Sequence, residues 1–215
     1  MRKLLLLITA LLILGTACFG SDQGDDQRIR DFYIRVIKIA RESIGLQTIP
    51  PVNGRRFTCD CIGFVNYVYY RAGFDLFKAY GKGYGGVDSL YDGLEKYGFV
   101  YREKQANPGD IVFFDNTYDV KGRKRWDNPL SHVGIIVGNG RFDTLNFIHF
   151  ANRGVQEGHL NLYYPDTYAV KLSDGDLYTI NSFLRVDRGE GFPKKDYVTA
   201  YFYRAFAHIR LKAQD

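Results

Sequence analysis

The chain has 215 residues, 46% of them hydrophobic, enough for one globular domain with a proper core and too few for a comfortable second one. Its formal net charge is +5, and Arg2 and Lys3 at the N-terminus supply two of those charges. The remaining basic bias suits an anionic polymer or a membrane surface and is too weak for nucleic-acid binding, so no nucleic-acid partner is expected.

Behind Arg2 and Lys3, residues 4–14 form an almost unbroken apolar run, followed by Gly15, Thr16, Ala17 and Cys18. The run is too short to span a membrane, and small residues close it, so residues 1–17 read as an export signal. Small residues directly before a Cys resemble a bacterial lipobox, which implies that Cys18 is lipidated and anchors the mature chain to the membrane. Ordinary cleavage near Gly20 is the alternative. Residues 18–27 are small and acidic and read as a flexible tether, leaving 28–215 as a single domain.

Asp25 and Asp26 can cap a helix over 27–43, with Ile29, Phe32, Val36, Ile37, Ala40 and Ile44 on one face. A loop broken by Pro50, Pro51 and Gly54 precedes a second helix, 61–72, whose stripe is Phe64, Val65, Val68, Tyr69 and Ala72. Residues 74–86 read as a Gly- and Tyr-rich loop, and a short helix follows from Asp88 or Ser89 to Tyr97. The period then changes to strand: 110–114 behind a Pro108-Gly109 turn, 131–137 closed by Gly138-Asn139-Gly140, and 145–150. Between the first two lies a polar loop, 115–129, carrying Lys121, Arg123, Lys124, Arg125 and Trp126. Its cations suit an anionic polymer or simply a solvated loop, and Trp126 either stacks on a sugar or anchors the loop. Two more strands are predicted at 180–186 and 197–211, the last helical in part. Helices first and a meandering antiparallel sheet afterwards give an α+β class.

The chemistry concentrates at Asp60-Cys61-Ile62-Gly63-Phe64-Val65. A thiol in the first turn of a helix meets unpaired backbone N–H groups and the positive dipole end, which lower a cysteine pKa and can hold an oxyanion. Such a nucleophile needs a base that later protonates the leaving group, and His is the natural one. His132 opens the second predicted strand and His149 lies in the next, so a short hairpin brings them within reach and one can orient the other. Asp60 can cap the helix, hold a substrate ammonium, or do both. Cys59 reads as structural, and His159 and His208 as surface or packing residues.

This layout resembles the NlpC-type cell-wall peptidases, papain-like hydrolases that cut the peptide stems of peptidoglycan. Their blocks are matched by residues 60–69, by Pro108-Gly109-Asp110-Ile111-Val112-Phe113-Phe114, by His132-Val133-Gly134-Ile135, and by Ile148-His149-Phe150-Ala151. The resemblance implies Cys61 as nucleophile, His132 as base and His149 as the residue that orients it. It further implies a papain-like fold, peptidoglycan or its fragments as partner, and no cofactor. Ile62 stands where relatives carry Ser, and the Tyr-x-x-Gly-Gly block that precedes the Cys in relatives is missing from 46–57. Both differences fall where relatives read their substrate, so the reaction class transfers more directly than the specificity. Related amidases of the CHAP kind and acyl-transferring relatives share the Cys-His core. Two other classes fit the residue types: a zinc site built from Cys59, Cys61, His132 and His149, and an inactive wall-binding lipoprotein on the same fold.

Overall fold

A computed structural model describes residues 20–81, 85–118, 127–185 and 193–211. The leader, Cys18, and residues 121–126 of the basic loop, Trp126 included, lie outside the described residues. The helices are α1 (Gly20–Glu42), α2 (Cys61–Arg71), α3 (Leu76–Ala79), α4 (Val87–Lys96) and α5 (Thr199–Phe202). The strands are β1 (Val100–Tyr101), β2 (Ile111–Phe114), β3 (His132–Asn139), β4 (Leu145–Ala151), β5 (Gly154–Leu160), β6 (Ala169–Lys171), β7 (Leu177–Thr179) and β8 (Tyr203–Ala207).

The architecture is α+β. Six strands form one antiparallel sheet in the order β1-β8-β2-β3-β4-β5, and β6 and β7 pair separately. Ile111 and Phe113 point to the helical face, where they pack with Phe32 and Val36 of α1 and Phe64, Val65 and Val68 of α2. Val112 and Phe114 point to the opposite face, with Ile136, Phe147, Leu160, Phe202 and Phe206. Both faces of β2 are therefore covered, which is why it reads as the unbroken apolar run Ile-Val-Phe-Phe.

The start of α1 corrects the expected tether. The helix begins at Gly20, so residues 20–27 are helical. Local pairs favour this: Asp25 bonds Arg28 at 3.3 Å and Gln27 donates to Asp31 at 2.8 Å. Carboxylates at Asp25 and Asp26 also complement the positive end of the helix dipole. Of the predicted apolar face, Phe32, Val36 and Ala40 are buried, whereas Ile44 lies past the helix end and is exposed.

The C-terminal part also departs from expectation. Residues 180–186 were predicted to form a strand; the described part, up to Arg185, makes only an isolated bridge from Phe183 to Val198. Two fully buried asparagines organise this region. Asn161 accepts the N–H groups of Tyr163 and Tyr164 and donates to the Phe142 carbonyl. Asn181 accepts the Asn161 N–H and donates to the carbonyls of Tyr164 and Thr167, each at 2.9 Å. The connection from β5 to β8 is thus clamped over the second face of the sheet, where Leu162, Leu184 and Ala200 pack.

Candidate active site

Asp60 has extended backbone and caps α2: its Oδ1 accepts the Gly63 N–H at 2.8 Å and the Thr58 hydroxyl at 2.8 Å. This fixes Cys61 as the first residue of the helix. Gly63 is required here, because a Cβ would run into the Thr58 carbonyl that crosses the helix start.

The two histidines come from neighbouring strands. β3 and β4 pair Ile135 with Ile148, so Gly134 falls opposite His149 one step further on. A Cβ on Gly134 would lie 2.9 Å from the Phe147 ring and 3.4 Å from the His149 Cβ. Glycine at 134 therefore makes room for the Phe147 ring, which packs against His149. His132 Nε2 and His149 Nδ1 are 2.7 Å apart, with the rings perpendicular. The bond leaves His132 Nδ1 as the nitrogen available to another partner.

Cys61 and His132 line one groove of about 960 Å³ at the end of the sheet. The backbone N–H of Val133, the residue after His132, lies near enough to the Cys61 sulfur to favour its thiolate, as do those of Ile62 and Cys61 itself. Asp60 lines the same groove, as do Asp88 from the first turn of α4 and Arg185 from the clamped C-terminal segment. Asp60, Cys61 and His132 thus line one groove, and His149 stands behind it, bonded to His132.

Electrostatics correct one expectation. Burial pushes the Cys61 thiol up to about 11; the three backbone N–H groups pull the other way and Asp60 adds to the rise. The helix start was expected to lower this value, but here desolvation outweighs the donors. Burial likewise pushes His132 down to about 4, and it holds His149 well below the ordinary histidine value, helped by the neighbouring His132. The resting site is a neutral thiol beside neutral imidazoles.

The remaining titratable groups singled out in the sequence have structural partners. Cys59 is an exposed, unbridged thiol whose sulfur accepts the Ile49 N–H. His159 bonds Asn146 at 3.2 Å, and His208 lies 2.6 Å from the buried Asp110, which also accepts from Tyr101 and from the Asn107 N–H. Among the described residues, no three His, Cys, Asp or Glu side chains are arranged to hold a metal ion. Sequence reasoning missed Asp88, Arg185 and Gln156 as neighbours of the site. Asp88 carried a usable signal as a helix-start residue; Arg185 and Gln156 lie in segments without a diagnostic pattern.

Residues 51–173 match the model of the NlpC/P60 family. The chain is 36% identical over 84 residues to a probable endopeptidase p60 of Listeria innocua, an alignment covering 39% of this chain and 14% of that protein. It is 29% identical over 130 residues to the bifunctional muramidase/DL-endopeptidase CwlT of Bacillus subtilis, covering 58% of this chain and 34% of the relative. The chain therefore spans only a minor part of the length of these relatives. A solved structure of an NLP/P60-family protein similar to lipoprotein, from Staphylococcus aureus, aligns over 59% of this chain and 36% of its own, with 18% identity and a TM-score of 0.35.

Proposed function

Because the chain belongs to the NlpC/P60 family, we propose that it is an exported cysteine endopeptidase that cleaves amide bonds in peptidoglycan stem peptides through a thioester. The observation that carries this reading is the groove itself. Cys61 opens α2 there and lines the groove with His132, which is bonded to His149 on the neighbouring strand.

In the proposed reaction the Cys61 sulfur attacks the scissile carbonyl as its proton passes to His132 Nδ1. The new imidazolium is held by its Nε2–H bond to His149. Backbone N–H groups at the start of α2 stabilise the oxyanion. Collapse of the tetrahedral intermediate transfers the proton from His132 to the departing amine and leaves an acyl-thioester. Water, deprotonated by His132, then releases the acid and restores the thiol. Because the thiol starts neutral, attack and proton transfer are coupled, and a preformed thiolate–imidazolium pair is not required.

Asp60 spends one carboxylate oxygen on the helix cap, and its other oxygen can hold a free amino end of the substrate, with Asp88 in the same groove. Ile62, in place of the usual Ser, makes this end of the groove more apolar than in relatives. Export through residues 1–17 and anchoring through Cys18 belong to the same proposal. The deciding test is digestion of purified muropeptides followed by mass analysis. The wild type should split a stem peptide, and Cys61→Ala should lose about 10³-fold or more of that activity while keeping its melting temperature. Equal activity in the variant would refute the reading.

The neutral thiol and Ile62 also favour a second reading, a wall-binding lipoprotein without turnover. In that case the wild type would retain peptidoglycan in a sedimentation assay and release no products.

A further inference from the structure

Gln156 lies directly opposite His149 in the β4–β5 ladder, half-buried, with its amide nitrogen 3.4 Å from His149 Nε2. On the other side of that ring, Nδ1 is 2.7 Å from His132 Nε2. Side chains from three adjacent strands thus form one line, and the line ends at His132 Nδ1.

Each neutral imidazole carries one ring proton, so every bond in the line fixes the next. For His132 Nδ1 to receive a proton, the His132 proton must sit on Nε2 and be donated to His149 Nδ1. His149 then carries its own proton on Nε2 and needs an acceptor there. A carboxamide offers either nitrogen or oxygen to the same point by a half-turn of its last torsion, since the two ends have nearly the same shape. With the oxygen turned in, Gln156 is that acceptor. With the nitrogen turned in, as it stands in this structure, Gln156 donates to His149 Nε2 and every proton shifts: His149 donates from Nδ1, and His132 carries its proton on Nδ1, where it cannot act as a base.

We propose that Gln156 is a positioning residue that, with its carbonyl oxygen turned to His149, holds His132 in the Nε2–H tautomer and keeps Nδ1 open. The choice of the oxygen-in orientation rests on the reading of the site as a hydrolase, while the tautomers themselves can be read without turnover. Burial keeps both imidazoles neutral, so the tautomer and not the charge is the variable that Gln156 controls.

The surrounding groups leave this role to a neutral amide. Glu157 is next in β5 but its side chain alternates to the other face of the sheet, opposite Ile148. From the elements around the groove, the titratable groups are Cys59, Asp60 and Cys61 at the start of α2, Asp88 on α4, Tyr118 after β2, and Arg185. Among the described residues, burial and then the neighbouring His132 lower the His149 titration, and no carboxylate acts on it.

The test is a two-bond proton–nitrogen correlation spectrum of ¹⁵N-histidine-labelled protein, recorded with melting curves for wild type, Gln156→Leu and Gln156→Glu. In the wild type, His132 and His149 should both report the Nε2–H tautomer. Gln156→Leu should populate both tautomers at His132 and lower kcat about tenfold with KM unchanged, the effect of one lost hydrogen bond. Gln156→Glu supplies a stronger acceptor, so it should keep the single tautomer and move the acid limb of kcat/KM up by about one pH unit. A wild-type His132 carrying its proton on Nδ1, or a Gln156→Leu spectrum identical to wild type, overturns the proposal. If Gln156→Leu fails to fold, the wild-type spectrum and Gln156→Glu still decide it. If no hydrolysis is seen at all, the functional reading fails while the tautomers remain readable.

Discussion

Burial on both sides of the groove leaves Cys61 and His132 uncharged at neutral pH, with the thiol near 11 and the imidazole near 4. A helix start does stabilise a thiolate, but its effect fades within the first turn, whereas desolvation acts on the whole group. The consequence for the proposed reaction is specific. His132 accepts a proton only when neutral, and its lowered value keeps it neutral down to acid conditions. The pH profile of kcat/KM should therefore stay level from pH 7 to about pH 5 and fall through a limb near 4. A limb near the ordinary value of 6.5 would mean that the imidazole is solvated in the working enzyme. Two glycines serve the same centre. Gly63 admits the Thr58 carbonyl over the helix start, and Gly134 admits the Phe147 ring beside His149, so these two glycines of the matched motifs each have a steric reason that names its neighbour.

At the scale of elements, the buried asparagines of the C-terminal segment do what a strand was expected to do. Asn181 makes bonds to Asn161, Thr199, Tyr164 and Thr167 without joining the sheet. Asn181→Ala should cost about 3 kcal/mol, since several buried backbone groups lose their partner at once. Limited proteolysis should then cut between residues 162 and 184 while the histidine hairpin stays protected; an unchanged digestion pattern would count against the clamp. This region also shows where legibility ended. α2, β2, β3 and β4 were readable because their apolar periodicity coincides with the four motif blocks. The alternation Ile180-Asn181-Ser182-Phe183-Leu184 imitates a strand, but its polar Asn181 is fully buried and its Phe is half exposed. β5 escaped because Gly154-Val155-Gln156-Glu157-Gly158-His159-Leu160 carries two glycines and only two strongly apolar side chains. Gly158 is spaced by the Phe147 ring stacked against it, a tertiary reason that no local window contains. With β5 unseen, Gln156 could not be placed beside His149. The predicted turn at Gly138 was absorbed for a similar reason: β3 continues to Asn139 through an irregularity, and Arg141–Asp143 makes the turn, with Phe142 and Asp143 in the left-handed region.

For the molecule as a whole, the family match ends at residue 173, yet the sheet does not. β8 lies between β1 and β2, pairing Val112 with Phe206 on one side and Tyr101 with Phe206 on the other. A chain ending at Ser173 would leave β2 with an open edge and strip Phe202 and Phe206 from the second core. Such a truncation should fail to fold, seen as the loss of a cooperative melting transition; a stable truncated domain would show that β8 is dispensable. The same placement orders events in time. Because β8 follows the other strands in the sequence and is also an inner strand, the native sheet cannot close until residues 203–207 have emerged. Its longest-range pairings come last, which favours slow folding and a long-lived open precursor. A chain moved across a membrane from its N-terminus, as the proposed export requires, would thus keep the groove unassembled until β8 had crossed.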